Sequence, residues 1–356
     1  MRVGLDFSPL CGNSVGGIPT FIGSLTDHLL AIDQENRYYQ CYRFSRIKKR
    51  STFPPKADRL GRIYYGRRLV FPLSKLDVFH GTAEWLPLNL HKVPMVMTVH
   101  DMRGIRSATD MDGYAIDRYD ALKDPAVAIA ADSLFTAQEI ERLLPGVVDK
   151  KRITVIHLGV DGAFTTMQNR QIQERILFVG SIAPNKNVLG LIRAFELILP
   201  ELNAPVRLCI CGNVLDEGYM HKIQTYLHDH AVVASRIEFI HPEQRADLRL
   251  LYNESRLCIL PSFYEGFGLP VLEAQACSCP VITTRCASLP EVGGESVAYC
   301  DPARDEDIGR SLLAVMTDEA LRNQMIEAGT ENVKRFLWER TAEKYLNLYR
   351  TKTMET

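Results

Sequence analysis

Apolar residues along this chain change rhythm repeatedly, and each change marks an element. Val3, Leu5 and Phe7 alternate with their neighbours as a strand with one buried face does. After the loop CGNSVGG, Ile18, Phe21, Ile22, Leu25 and Leu29 recur at helical spacing, with Pro19 suited to a first turn. Short β-branched runs then predict strands at 95–99 (MVMTV), 153–158 (ITVIHL), 175–180 (RILFVG), 206–212 (VRLCICG), 236–241 (RIEFIH), 257–261 (LCILP) and 280–284 (PVITT). Helical periods lie between the last five; Val188, Leu191, Ile192, Phe195 and Leu199 form one of them. Apolar strands separated by helices predict parallel sheets covered on both faces.

The rhythm stops over 160–173, a polar stretch without period. The predicted fold is therefore α/β, with two doubly wound, Rossmann-like domains at 1–165 and 166–335 and a cleft between them. A last segment, 336–356, contains the amphipathic stretch FLWERTAEKYLNLYR, with Phe336, Tyr345, Leu346 and Tyr349 on its apolar side. Ligands of such sheets sit beyond the carboxyl ends of the strands, so the loops that follow strands are where chemistry is sought.

Composition narrows the class. A chain of 356 residues suits two cores better than one, and 46% hydrophobic with 24% charged residues fits a globular protein. The opening MRVGLDFSPL reads as a first strand and not as a signal peptide, and no apolar run approaches the ~20 residues of a membrane span. Nine cysteines, without a C-x-x-C pair and several in strand-like runs, predict buried reduced thiols in a cytoplasmic protein. The pairs Cys209/Cys211 and Cys277/Cys279 lack partners at zinc spacing, so no metal is expected there. A nucleic-acid partner is not expected either. Net charge is only −1, yet residues 43–68 hold ten Lys or Arg against Asp58 alone. Tyr42, Phe44, Phe53, Tyr64, Tyr65 and Phe71 are interleaved with or flank them. That combination predicts contact with an anionic partner, such as an acidic membrane surface or a diphosphate.

The segment with the most chemistry is PSFYEGFGLPVLEA, 261–274. It follows a predicted strand and opens a helix with Pro270 in its first turn. Gly266 and Gly268 let the backbone approach a ligand and turn N–H groups towards it, and the helix terminus adds partial positive charge. This is an anion site suited to a diphosphate. Glu265 and Glu273 cannot hold phosphate by charge, but they can accept hydrogen bonds from ribose or sugar hydroxyls.

Glu265-x7-Glu273 within EGFGLPVLEA resembles the signature of retaining glycosyltransferase family four, whose fold is GT-B. FVGSIAPNKNVLGLIRAF, GGIPTFIGSL, TVHD, DSLFTAQEI and ITVIHLGVD agree with that family in order, so the resemblance spans nearly the whole chain. It implies a nucleotide-sugar donor, no cofactor and no metal. By position, Glu273 would bind the donor ribose, Glu265 the transferred sugar, and Lys186 the diphosphate. His100 would reach the sugar across the cleft, and Gly16 and Gly17 would present amides to the phosphates. Gly266, Phe267, Gly268 and Leu269 would line the donor. Ser181 stands where many members carry Arg, and Pro184-Asn185-Lys186-Asn187 resembles a subgroup of GDP-mannose-dependent mannosyltransferases. Ser181 and Asn185 would then supply neutral hydrogen bonds in a clamp one charge short.

The resemblance further implies transfer onto a glycan or lipid-linked acceptor by front-face attack, in the cytoplasm or at the inner face of a membrane. It also implies that the last helix crosses back onto the N-terminal domain. Other readings are a donor with rhamnose, glucose or N-acetylglucosamine, a nucleotide-sugar epimerase, or a degenerate scaffold that binds without turnover. Asp110-Met111-Asp112 has the D-x-D form but follows RGIRSAT and not an apolar strand, which argues against a metal role.

Overall fold

Two parallel sheets organise the chain. A computed structural model describes residues 1–11, 16–46, 60–66, 71–83, 85–87, 93–104, 117–202, 205–241 and 245–355. One compact unit consists of Met1–Gly159 with Leu337–Thr356, the other of Val160–Phe336.

The first unit holds β1 (Arg2–Asp6), β2 (Arg37–Arg43), β3 (Leu60–Tyr65), β4 (Val78–Gly81), β5 (Met95–Val99), β6 (Val127–Ala131) and β7 (Ile153–Val155), with helices α1 (Gly17–Ile32) and α2 (Leu134–Leu143). Its strands are all parallel, in the order β3-β2-β1-β4-β5-β6-β7. The chain order reverses between β1 and β4, which makes their carboxyl ends the natural binding edge. β5 and β6 are buried along their whole length, as strands covered on both faces must be.

The second unit holds β8 (Gln173–Val179), β9 (Arg207–Cys211), β10 (Ile237–Ile240), β11 (Ser255–Ile259), β12 (Val281–Thr284) and β13 (Ala298–Cys300). Its helices are α3 (Val188–Ile198), α4 (Glu217–Asp229), α5 (Ala231–Ala234), α6 (Arg245–Glu254), α7 (Leu269–Ala276), α8 (Leu289–Gly293), α9 (Asp305–Thr317) and α10 (Glu319–Val333). The strand order is β10-β9-β8-β11-β12-β13, again parallel, with its reversal between β8 and β11. Ile176, Phe178, Leu191, Phe195, Leu208, Ile210 and Leu257 are among its core residues. All nine cysteines are free thiols, and only Cys286 is not buried.

The last helix, α11 (Trp338–Met354), belongs to the first unit and packs on α1, β4 and β5. It begins two residues later than the amphipathic stretch suggests, and Phe336 stays in the second unit, buried. A buried chain of hydrogen bonds holds α11 to the sheet. His80 Nδ1 lies 2.7 Å from the Tyr349 hydroxyl, His80 Nε2 lies 2.7 Å from Thr98 Oγ1, and that hydroxyl lies 2.8 Å from the Tyr345 hydroxyl. Burial, and next to it the charge of His100, hold His80 down to about 3, so its ring is neutral at ordinary pH.

The basic segment needs a correction. Residues 60–65 are the edge strand β3, and Tyr42 and Tyr65 are fully buried, so these two rings are core and not membrane contacts. Arg62 Nε donates to Gln40 Oε1 at 3.2 Å. Lys48, Lys49, Arg50, Phe53, Lys56, Arg59, Arg67 and Arg68 lie outside the described residues, as do Asp110 and Asp112.

Candidate functional site

In the second unit, the loops after β8 and β11 meet at the point where the strand order reverses. The loop after β8 turns through Pro184–Lys186 and ends at Asn187, which adopts φ 57 and ψ 36. The Asn187 amide holds that left-handed turn by donating to the Pro302 carbonyl at 2.8 Å. The neighbouring strand exit passes so close that a Cβ on Gly212 would stand 1.9 Å from the Gly180 carbonyl oxygen; only glycine fits there. Ser181 is half-buried just beyond, beside the Ile182–Val214 bridge.

The two loops are laced together through main-chain carbonyls. Phe263 N–H donates to the Asn185 carbonyl at 2.9 Å, and Asn185 Nδ2 donates to the Tyr264 carbonyl at 3.2 Å. This lacing sets Lys186 against Glu265. Lys186 Nζ lies 2.6 Å from both carboxylate oxygens, and Ser262 Oγ donates to Oε1 at 2.8 Å. The Lys186 side chain is 17% exposed and that of Glu265 10%, so both are shielded but reachable.

The loop itself is braced from β12 and the turn that follows. Thr284 Oγ1 donates to the Ser262 carbonyl at 2.7 Å, and Ser288 Oγ lies 2.9 Å and 2.8 Å from the carbonyls of Glu265 and Phe267. Gly268 caps α7 at φ +105, a conformation side chains resist. Pro270 sits in the first turn, where its missing N–H costs nothing. Phe267 and Leu269 are buried, so what they can offer a ligand is backbone. One turn into α7, Glu273 is buried and accepts a hydrogen bond from the Tyr252 hydroxyl at 3.0 Å. Burial first, then the Glu273 carboxylate, push the Tyr252 phenol well above its usual range, so it remains a donor. Lys186, Asn185, Glu265, Gly266, Gly268 and Glu273 are thus gathered on one edge of this sheet.

Gly16, Gly17 and His100 belong to the first unit. Gly16 caps α1 at φ +139, and Gly17 is its first residue; both are exposed. His100 follows β5, with Phe21 edge-on to its ring at 4.9 Å between centroids. Its Nδ1 lies 2.5 Å from Asp132 Oδ2, and its Nε2 lies 2.9 Å from the Thr82 carbonyl oxygen.

Sequence reasoning missed Tyr252, Ser262, Ser288, Thr82 and Asp132. Ser262 lies inside the EGFGLP block's own loop, and Asp132 directly follows a strand, so position alone singles out those two. Tyr252 and Ser288 come to the site from 21 residues away on either side of their partners, which no local pattern signals. Among the described residues no group of three or more His, Cys, Asp or Glu is placed to hold a metal ion. No described helix is long and apolar enough to cross a membrane.

The family model described as "Glycosyl transferases group 1" matches residues 167–332. The chain is 29% identical over 307 residues to O-antigen chain mannosyltransferase B of Escherichia coli, covering 81% of this chain and 78% of that protein. It is 31% identical over 321 residues to D-inositol 3-phosphate glycosyltransferase of Kribbella flavida, covering 78% and 72%. Among solved structures, HepE of Anabaena in complex with UDP and glucose superposes with a TM-score of 0.77 at 14% identity, over 99% of this chain and 100% of that one. At that identity the likeness speaks for the fold.

Proposed function

The chain belongs to the group 1 glycosyl transferases, and from that premise we propose that it moves mannose from GDP-mannose onto a glycan or lipid-linked acceptor with retention of configuration. The observation that supports this reading most is the pairing of Lys186 with Glu265 beside the glycine-capped start of α7, with Glu273 one turn further on. A cation and a helix terminus suit a diphosphate, and two carboxylates suit the hydroxyls on either side of it. The mannose and guanine assignment rests on Pro184-Asn185-Lys186-Asn187 and on the Escherichia coli relative, which is described as a mannosyltransferase.

In the proposed reaction, the bond from the anomeric carbon to the diphosphate oxygen breaks. The acceptor hydroxyl oxygen bonds to that carbon from the same face, and its proton passes to the departing phosphate. The products are GDP and the mannosylated acceptor. Lys186 stabilises the charge that grows on the leaving diphosphate, Glu265 orients the sugar, Glu273 holds the ribose, and His100 contacts the sugar. Contact of residues 43–68 with an anionic membrane belongs to the same proposal and rests on their charge. Sedimentation with acidic vesicles at low and high salt tests it; binding that ignores salt would rule it out.

Incubation with GDP-mannose, UDP-glucose, UDP-N-acetylglucosamine and dTDP-rhamnose, in excess EDTA and scoring slow donor hydrolysis, tests the donor. GDP-mannose should be hydrolysed fastest. A preference for another donor would replace the mannose assignment. Release of no nucleotide from any of them, with binding intact, would favour a scaffold.

A further inference from the structure

Two acceptors bracket the His100 ring. The Thr82 carbonyl oxygen can only accept, so Nε2, 2.9 Å away, carries a hydrogen. Nδ1 lies 2.5 Å from Asp132 Oδ2. A bare lone pair on Nδ1 would face a carboxylate oxygen at that distance with nothing between them, so a second hydrogen belongs there. The geometry is built and not incidental. Thr82 follows β4, His100 follows β5 and Asp132 follows β6, three strands adjacent in the sheet. Asp132 is 2% exposed, and its Oδ1 makes no hydrogen bond among the described residues. The imidazole is therefore the partner that offsets the burial of this carboxylate.

We infer that Asp132 is a positioning residue that fixes the His100 ring and keeps it doubly protonated, so that His100 serves as a cationic hydrogen-bond donor through Nε2 and not as a base. Among the described residues, His80 from β4 and Tyr345 from α11 are titratable groups that face the pair, and Asp101 follows His100 in the chain. His80 cannot share the charge: it is buried and bonded at both nitrogens to hydroxyls, and the positive charge of His100 opposes its protonation. One histidine is neutral so that the other can be charged. An incoming donor oxygen then engages Nε2 by replacing the Thr82 carbonyl, one acceptor for another, with no proton displaced. A sugar hydroxyl oxygen, the contact proposed for His100 above, has that chemistry, and a charged donor strengthens the bond. The part of the inference that concerns turnover rests on the transferase reading; the protonation state does not.

The test uses the full chain labelled with nitrogen-15 at histidine, without ligand. At neutral pH both ring nitrogens of His100 should give protonated, pyrrole-type signals, identified by their loss in His100→Gln. In Asp132→Asn, an isosteric change, one of those nitrogens should become pyridine-type. Donor hydrolysis by that variant should lose about ten- to a hundredfold in kcat with a smaller change in KM, and the alkaline limb of its kcat profile should move to lower pH. A pyridine-type nitrogen on His100 in the parent chain at neutral pH overturns the inference, as does an unchanged His100 spectrum in Asp132→Asn. The expected spectrum with an unchanged kcat would overturn the positioning role. Because the spectrum needs no substrate, a wrong donor assignment would leave it intact.

Discussion

A diphosphate that claims Lys186 meets an anion already in place, because Glu265 holds the ammonium through both oxygens at 2.6 Å. Replacing Glu265 with Gln should therefore tighten GDP binding while weakening turnover. A phosphate oxygen on the far side of Nζ, at an ordinary charged hydrogen-bond length of about 2.8 Å, would stand roughly 5 Å from the nearer carboxylate oxygen. Two unit charges at that separation repel by about 1–3 kcal/mol for an effective dielectric between ~20 and ~80. Removing that repulsion should lower the dissociation constant for GDP about 5- to 150-fold. Gln keeps the shape of the site and can still accept from Ser262 Oγ. Turnover should fall by about a hundredfold, because the carboxylate proposed to orient the sugar is gone.

The companion change, Lys186→Met, has the opposite sign for binding. It leaves the Glu265 carboxylate shielded with Ser262 as its remaining named partner, which should cost about 2–3 kcal/mol of stability and weaken GDP more than about tenfold. Titration calorimetry with GDP, alongside single-turnover hydrolysis of GDP-mannose, reads both variants. Equal or weaker GDP binding by a folded Glu265→Gln protein would refute the argument that Glu265 competes for Lys186.

The second unit was the more legible from sequence, and the reason is physical. Its central strands are runs such as RILFV and RLCIC, buried on both faces, and the helix between them keeps a clean 3.6 period. The binding edge was marked by residues whose backbone needs are special, Gly268 above all. In the first unit, β2 reads RYYQCYR, with Gln40 buried among tyrosines, and β3 reads LGRIYY at an edge. Both are strands made of amphipathic residues, so the periodicity that betrays an aliphatic strand is absent. The charges within that stretch suggest a surface, whereas Tyr42 and Tyr65 are core. Residue types at the site were legible, but their partners were not. Tyr252 reaches Glu273, and Asp132 reaches His100 from 32 residues on; only a folded sheet brings such pairs together.

Tyr252→Phe should raise the donor KM about 3- to 10-fold and leave kcat within about twofold, since it removes one hydrogen bond that orients the Glu273 carboxylate and keeps the ring; a fall in kcat with KM unchanged would refute this. The remaining prediction concerns acid. His80 has an ordinary value of 6.5 and is held to about 3 in the fold. On acidification the unfolded chain takes up this proton first, so stability is complete above 6.5 and is lost as pH falls from there towards 3. The loss approaches about 1.4 kcal/mol per pH unit well inside that window. Replacing His80 with Asn should abolish this slope at the cost of a lower plateau, because the bonds to Tyr349 and Thr98 go with it. If His100 is charged in the fold, as inferred above, its contribution has the opposite sign and is common to parent and variant. The readout is therefore the difference between parent and variant, taken from urea unfolding between pH 6.5 and about 5, above the range in which ordinary carboxylates titrate. If the two curves run parallel there, the neutral clasp of α11 by His80 is wrong. If they converge as pH falls, the buried ring is the group that gives way.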